Sequence, residues 1–201
     1  EVVFNHMQRK GVLLHVVLQE TENEKLLDDG DTGFQRKLYL NELIARFAHH
    51  PALVWNLGEE NGPAEFSPNG QNATQQKAMA SYLKAADPYK HPVVIHTHST
   101  KQSKDELLPA LLGHKPLDGL SFQINDPDHV HSEVIKWKKL SAERGHEWLI
   151  TMDEIGKWDT GAVPDSVDPE HNNLRHRVLW GSLLAGAAGV EWYFGAHQPH
   201  N

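Results

Sequence analysis

Helix-like and strand-like segments alternate along the whole chain, and this order constrains the fold more than any other feature. Helical segments carry apolar residues three or four positions apart, and strand-like segments are short apolar runs bounded by turn residues. The predicted helices are Glu1–Lys10, Phe34–His49, Asn72–Ala86, Ser103–Leu112, His129–Arg144 and His171–Ala188. The predicted strands are Val12–Leu18, Leu53–Leu57, Pro92–Thr97, Leu117–Ile124, Trp148–Met152 and Gly189–Phe194. Because no two strands follow each other directly, the order favours parallel strands covered by helices.

Two architectures fit this alternation, an open doubly wound sheet and a closed (β/α)8 barrel. The phosphate-binding patterns GxGxxG and GxxxxGK[ST] are both absent from the sequence. A complete barrel takes about 250 residues, whereas this chain has 201 residues and begins on a helix. We therefore expect an α/β fold in which residues 1–201 form a single, partial TIM-barrel domain. Its first two strands would lie upstream, so that the chain runs from about strand 3 to strand 8.

Composition excludes several kinds of partner. The net charge is −8 and there is no run of lysine or arginine, which argues against binding nucleic acid. No apolar stretch approaches the roughly 20 residues of a membrane span. The chain has no cysteine, so disulfides and thiolate metal sites are excluded. Composition leaves the oligomeric state and the compartment open.

Pairs of carboxylates follow two of the predicted strands. Glu59 and Glu60 come directly after Leu53–Leu57 and Gly58, and Asp153 and Glu154 come directly after Trp148–Met152. In an α/β barrel the side chains that follow the strands build the active face. We therefore expect one acid from each pair to be catalytic, because neighbouring residues of an extended chain point to opposite sides.

Further polar and aromatic residues stand at or after strand ends. Two histidines two positions apart suit a metal site, so a metal-dependent hydrolase remains an alternative, although no HExxH motif is present. Its ligands would be His96, His98, His15, Glu20 and Asp153. A serine nucleophile elbow, GxSxG, is also absent. Trp55, Trp137 and Trp180 are predicted to be packing residues, and Trp158 is predicted to be exposed on a loop, where its ring can stack on a bound substrate.

Three segments resemble the clan A glycoside hydrolases, which are retaining (β/α)8 glycosidases. WNLGEEN resembles the end of their fourth strand, which implies that Glu60 is the acid/base and that Glu59 replaces the usual asparagine. ITMDEIGKW resembles the end of their seventh strand, which implies that Glu154 is the nucleophile. GVEWYFG resembles their eighth strand, which implies that Trp192 lies under the sugar. The tail RHRVLWGSLLAGAAGVEWYFG is also similar to uncharacterised bacterial glycosidase-like proteins, some labelled as collagenase-associated.

The resemblance implies a hydrolase that cleaves O-glycosidic bonds of a poly- or oligosaccharide by double displacement. It implies no metal and no other cofactor in the reaction, and a carbohydrate as the partner. A secreted or periplasmic location is favoured if that substrate is a polysaccharide. Glutamate in place of the usual asparagine leaves open a pseudoenzyme that binds carbohydrate without cleaving it. The candidate substrate-binding residues are Glu59, Asn61, His96, His98, Gln123, Trp158, Trp192, Gln19 and Glu20.

Overall fold

The structure is a computed structural model that describes residues 1–195 of the chain. It is an α/β fold in which six strands are hydrogen-bonded in sequence order. The strands are β1 (Leu14–Val17), β2 (Leu53–Asn56), β3 (Val93–His96), β4 (Gly119–Ile124), β5 (Leu149–Ile155) and β6 (Gly189–Val190). The helices are α1 (Val2–Arg9), α2 (Phe34–Phe47), α3 (Ala73–Ala86), α4 (Lys101–Leu107), α5 (Val130–Glu143) and α6 (Gly181–Leu184). Short 3₁₀ turns cover Thr21–Asn23, Asp28–Gly30, Leu108–Ala110 and Pro127–His129, and a π-helix covers Asn173–Trp180.

The strand pairings are parallel, as the alternation of helices and strands predicts. Leu14 of β1 pairs with Leu53 of β2. Trp55 of β2 pairs with Val93 of β3. A parallel pair needs a crossover of a dozen or more residues, usually helical, and the helices between the strands meet this requirement. The prediction of an α/β fold with parallel strands is therefore confirmed.

Two compact units make up the chain. The first consists of Glu1–His96 with His114–Gly119, and the second of Thr97–Gly113 with Leu120–Asn201. Each unit has its own buried apolar residues. Those of the first unit include Leu40, Leu53, Trp55, Leu57, Met79, Leu83, Val93 and Ile95. Those of the second include Phe122, Ile124, Val130, Val134, Trp137, Trp148, Ile150 and Met152. That residues 1–201 form one folding domain remains a prediction.

Strand β1 is less buried than its sequence suggests. Leu14 is buried, but His15 and Val17 are exposed, so the prediction of a strand buried on both faces is wrong. Within residues 1–195, β1 pairs with β2.

The last three elements also differ from prediction. Strand β5 continues to Ile155, so Asp153 and Glu154 lie within the strand and not after it. The predicted helix His171–Ala188 is a π-helix over Asn173–Trp180 that continues as the short helix α6. The predicted strand Gly189–Phe194 has only two residues in β6.

Other local predictions are confirmed. Helix α3 begins after Asn72, whose side-chain oxygen accepts the N–H groups of Thr74 and Gln75. Trp55 and Trp137 are buried core residues, whereas Trp180 is half exposed and does not fit the prediction of a packing residue. No helix formed by residues 1–195 is long and apolar enough to cross a bilayer.

Candidate active site

The first candidate acid, Glu60, lies in a turn that follows β2. All four residues of β2 are buried, and so are Leu57 and Gly58. The buried side chain of Asn56 holds the start of the turn, because its Oδ1 accepts the N–H groups of Gly58 (3.2 Å) and His96 (3.1 Å). The chain therefore leaves the strand along a fixed path, and Glu59 and Glu60 follow half-buried.

The backbone of Glu60 is held in the left-handed region, with φ of 40°. A residue other than glycine rarely adopts this conformation. Hydrogen bonds of the residues before and after Glu60 fix this conformation. The Thr21 hydroxyl donates to the Glu59 carbonyl (3.0 Å), and the Asn61 N–H donates to the His96 carbonyl (3.2 Å). The alternation of side chains that holds for strands therefore does not apply to Glu59 and Glu60, which lie in a turn. Backbone strain of this kind is concentrated at functional sites.

A buried carboxylate fastens the far end of this turn. Glu24 is 1% exposed, and its two oxygens accept the backbone N–H groups of Gly62 (2.8 Å) and Gln71. Burial raises the pKa of the Glu24 carboxyl above its ordinary value, and these two N–H groups act in the opposite direction. Glu24 is not among the residues that the sequence singles out.

A buried guanidinium completes the same network. Arg36 is 1% exposed and donates to the carbonyls of Glu24 (2.6 Å) and Asp31 (3.1 Å) and to the amide oxygen of Gln19. Burial lowers the pKa of Arg36, and Glu24 is among the acids that counteract the shift. An arginine buried with so many acceptors stabilises the polypeptide that surrounds the turn.

Two residues predicted to bind substrate also belong to this network. The amide of Gln19 donates to the side-chain oxygen of Gln71 (2.5 Å), and so does the amide of Asn61 (3.2 Å). The Asn61 oxygen accepts from Gln76 (2.8 Å). Gln19 and Asn61 are both buried, and these contacts make them positioning residues for the turn. Glu20, by contrast, is exposed.

In the second unit, a row of predicted residues begins with His98, which follows β3, and Gln123 of β4. Thr97 N–H donates to the Ser121 carbonyl (3.1 Å), a register that places His98 beside Gln123. Residues paired in register on adjacent strands project from the same face of the sheet. His98 and Gln123 are both buried at this edge, with 5% and 3% of their surface exposed.

Glu154 is the next member of this row. Gly156 N–H donates to the Ile124 carbonyl (2.9 Å), and this register places Glu154 beside Gln123. Glu154 is half-buried near the carboxyl end of β5. The Asp153 carboxylate instead accepts the hydroxyl of Thr151 (2.8 Å), two residues earlier in the strand. As predicted, Asp153 and Glu154 are offset, since successive strand residues face opposite sides.

Trp192 lies just beyond this row. Thr151 and Met152 of β5 pair with Gly189 and Val190 of β6, and the Glu191 N–H donates to the Met152 carbonyl (2.7 Å). Strand β6 ends at Val190, and Trp192 follows it half-buried. An imidazole, an amide and a carboxylate therefore form the row, and an indole follows the next strand.

Lys104 fixes the part of the row formed by His98 and Gln123. Its ammonium group is buried and donates to the backbone carbonyls of His98 (2.9 Å) and Gln123 (2.8 Å). The side-chain oxygen of Gln123 is buried and has no hydrogen-bond partner among residues 1–195. A buried amide oxygen in this state is a ready acceptor for a hydroxyl group. Lys104, like Glu24 and Arg36, is not among the residues that the sequence singles out.

The loop after Glu154 presents an exposed indole. Trp158 is 64% exposed, and its carbonyl accepts the Tyr193 hydroxyl (2.6 Å). Glycine is required at Gly161, whose φ is 53° and where a Cβ would meet the Tyr193 carbonyl. This close approach of two backbones holds the Trp158 loop against the segment that follows β6.

The histidines predicted as alternative metal ligands do not form a metal-type group. Among residues 1–195, the group of histidine and carboxylate side chains with converging ligand atoms is Glu1, His49 and His50, and it includes neither His96 nor His98. His96 is buried, and its backbone contacts Asn56 and Asn61. An open groove of about 330 Å³ also exists in the second unit, lined by Trp180, Arg177 and His131, and none of the candidate site residues lines it.

A comparison with models of known protein families identifies the family of this chain. A model of apiosidase-like catalytic domains matches residues 5–198, which is nearly the whole chain. The chain belongs to the apiosidase-like catalytic domain family. The resemblance of this apiosidase-like domain to clan A glycoside hydrolases is thereby confirmed. No curated protein matches its sequence.

Solved structures agree on the fold of the apiosidase-like domain. A candidate glycoside hydrolase of Bacteroides vulgatus ATCC 8482 has a TM-score of 0.62 at 15% identity, covering 98% of this chain and 36% of that one. A family 5 glycoside hydrolase of the same organism has a TM-score of 0.59 at 15% identity, covering 94% and 40%. The β-glucuronidase of Faecalibacterium prausnitzii has a TM-score of 0.57 at 16% identity, covering 94% and 33%. The apiosidase-like domain thus spans between a third and two fifths of the length of these proteins, with a fold consistent with part of a TIM barrel.

Proposed function

We propose that this apiosidase-like domain hydrolyses O-glycosidic bonds with retention of configuration, and that its substrate carries an apiosyl residue. Membership of the apiosidase-like family is the observation that carries the proposal. The row of His98, Gln123 and Glu154 supports it, as does Trp192 just beyond β6, because a sugar needs hydrogen-bonding groups, a carboxylate and an aromatic face.

In the proposed mechanism Glu154 is the nucleophile and Glu60 is the acid/base. Glu60 protonates the leaving oxygen while Glu154 attacks the anomeric carbon, and Glu60 then activates the water that releases the sugar. Retention requires the two carboxyl groups to lie roughly 5–5.5 Å apart in the working enzyme. The fixed backbone of Glu60 supports its role, since an acid that transfers a proton has to be held in one position.

The remaining candidate residues are proposed to contact the sugar or to position the groups that do. Gln123 accepts a sugar hydroxyl through its buried oxygen, and Trp192 and Trp158 stack on sugar rings. The other residues proposed for substrate binding are Glu59, Asn61, His96, His98, Gln19 and Glu20. We further propose that strands β1 to β6 correspond to strands 3 to 8 of a barrel.

The test is turnover of an aryl apioside by the full-length protein, measured by release of the chromogenic phenol. Glu154→Gln is expected to lower kcat/KM by roughly 1,000-fold or more, because it removes the nucleophile. Glu60→Gln is expected to lower kcat by roughly 100-fold or more, because hydrolysis of the covalent intermediate loses its general base, whereas a phenol leaves with little help from an acid. Glu65→Gln is the matched control for Glu60, since Glu65 is an exposed acid of the same loop. Glu143→Gln is the control for Glu154, since Glu143 is exposed at the end of α5.

Two results would overturn the proposal. Wild-type turnover in Glu154→Gln or Glu60→Gln would remove that residue from the mechanism. Binding of apiose-containing glycans by the wild type without any cleavage would identify a carbohydrate-binding domain and not an enzyme.

A further inference from the structure

Three potential metal ligands converge in the first unit, where α1 begins and α2 ends. Glu1 precedes α1, and His49 and His50 follow Ala48, which caps the end of α2. The two helices pack through aromatic rings at this point, with 4.7 Å between the ring centroids of Phe4 and Phe47. The ligand side chains are therefore carried by packed elements and not by a free loop.

The distances from Glu1 to the two imidazoles are close to those around a tetrahedral ion. The Glu1 Oε2 lies 3.6 Å from the His49 Nε2 and 3.8 Å from the His50 Nε2. All three ligand atoms lie within 4.8 Å of one another. Zinc–ligand bonds of about 2.0–2.2 Å at tetrahedral angles place the ligand atoms roughly 3.3–3.6 Å apart. The two Glu1 distances lie at or slightly above this range, and rotation of the exposed Glu1 side chain can adjust them. Binding of the ion also requires the two imidazole rings, whose centroids lie 4.2 Å apart, to turn a nitrogen of each towards it.

The hydrogen bond made by the Nδ1 of His50 leaves its Nε2 available to bind a metal ion. The Nδ1 of His50 lies 2.6 Å from the Gln8 amide oxygen, so Nδ1 carries the proton and donates it. The Nε2 then holds a lone pair, and it is buried with no hydrogen-bond partner among residues 1–195. The His50 side chain is 1% exposed. A metal-binding histidine usually donates its second nitrogen to an oxygen in this way, which fixes the ring and its tautomer.

We propose that Glu1, His49 and His50 bind one zinc ion. Two imidazoles and one carboxylate are ligands that zinc accepts, whereas calcium and magnesium prefer oxygen alone. Glu1 and His49 are each half exposed, so water can reach the ion and take the fourth position. The ion links the start of α1 to the end of α2 and stabilises that junction. The proposal does not depend on the proposed glycosidase activity, because none of the three residues is a candidate for catalysis or sugar binding.

The test is calorimetric titration of chelator-stripped full-length protein with zinc chloride. The wild type is expected to bind one zinc ion with a Kd in the micromolar range or below. His49→Ala and Glu1→Gln are each expected to weaken binding by at least about 10-fold, because each removes a ligand. His129→Ala is the matched control, since His129 is 51% exposed against 49% for His49, and it is expected to bind as the wild type does.

Two further measurements distinguish a specific site from weak binding by scattered histidines. Gln8→Ala is expected to weaken zinc binding by about 10-fold with an unchanged Tm of the zinc-free protein, because Gln8 orients His50. Zinc is expected to raise the Tm of the wild type by several degrees but not that of His49→Ala. Cobalt(II) is expected to give the visible absorption of a tetrahedral complex in the wild type alone.

The proposal fails if the wild type shows no zinc binding at about 100 μM. It also fails if His49→Ala binds zinc as tightly as His129→Ala does. Because His50 is buried, His50→Gln does not separate loss of a ligand from loss of the fold, and the conclusion therefore rests on the exposed residues His49 and Glu1.

Discussion

The carboxylate of Glu24 accepts the backbone N–H of Gly62 at 2.8 Å, which ties the end of the Glu60 turn to a segment nearly forty residues earlier in the chain. The same carboxylate accepts the N–H of Gln71. A single buried acid therefore determines where two loop segments of the first unit lie. The position of the candidate acid/base Glu60 therefore depends indirectly on the Glu24 carboxylate.

Glu24→Gln is expected to destabilise the protein and to lower turnover. In the glutamine side chain an NH₂ group takes the place of one carboxylate oxygen, so that one of the two backbone N–H groups faces a donor. A buried N–H without an acceptor lowers the free energy of unfolding by about 1–3 kcal/mol. Urea unfolding measures the loss of stability, and kcat measures the displacement of Glu60. Glu22→Gln, an exposed acid in the same turn, is expected to change the unfolding free energy by less than about 0.5 kcal/mol. Equal stability of Glu24→Gln and Glu22→Gln would show that the two N–H groups do not need the carboxylate.

The left-handed backbone of Glu60 predicts a difference between two truncations. Glu60→Gly and Glu60→Ala both remove the side chain and all its contacts, so both are expected to abolish turnover. Only glycine relieves the strain at φ of 40°. We therefore expect Glu60→Gly to be more stable than Glu60→Ala by about 1 kcal/mol in urea unfolding. If alanine were the more stable of the two, the turn would not store strain at this position.

The buried oxygen of Gln123 predicts a separation of binding from stability. Gln123→Met keeps the volume but removes a buried oxygen that has no partner among residues 1–195. The variant is expected to be as stable as the wild type or more stable, while KM rises roughly 10-fold through loss of a sugar hydrogen bond. Gln102→Met, at an exposed position of α4, serves as the control. An unchanged KM in Gln123→Met would exclude contact between this amide and the sugar.

The buried acid Asp87 predicts a dependence of stability on pH. Burial acts to raise its pKa, but hydrogen bonds from Trp55 (3.0 Å), Tyr89 (2.9 Å) and His91 outweigh burial and hold the pKa below its ordinary value. A carboxyl with a lowered folded pKa stabilises the protein above its unfolded pKa of about 3.9. This contribution is lost as the pH falls through the folded pKa.

Asp87→Asn is therefore expected to lower the unfolding free energy by about 1–3 kcal/mol at neutral pH. The difference from the wild type should shrink as the pH falls below about 4. Urea unfolding at several pH values measures it, with Asp165→Asn as an exposed control. A difference that stayed constant between neutral and acidic pH would contradict the lowered pKa.

The order of the elements could be predicted from local patterns, because helical periodicity and turn residues are local properties. Helix α3 and its Asn72 cap are examples. The exposure of His15 and Val17 in β1 could not be predicted, since it depends on which residues distant in sequence lie beside that strand. The extension of β5 through Asp153 and Glu154 also escaped prediction, because acidic residues are uncommon in strands.

The sequence proposes candidate site residues only where they stand next to a strand end. Glu60, Gln123 and Glu154 were proposed in this way, and their roles remain predictions. Glu24, Lys104 and the pair Glu1 and His50 were not, because each acts through partners that are distant in sequence. His50, for example, meets Glu1 across nearly fifty residues, and fifteen scattered histidines give no indication of which one does so.

Azide rescue of the alanine variants tests the central claim most directly, because it assigns each carboxylate its own role. In the full-length protein, Glu154→Ala with azide and an aryl apioside is expected to give an apiosyl azide of inverted configuration, since azide occupies the space of the nucleophile. Glu60→Ala is expected to give the azide of retained configuration, because Glu154 still forms the covalent intermediate. Nuclear magnetic resonance of the two products distinguishes the anomers. Retained configuration from Glu154→Ala, or wild-type turnover by that variant without azide, would contradict the account.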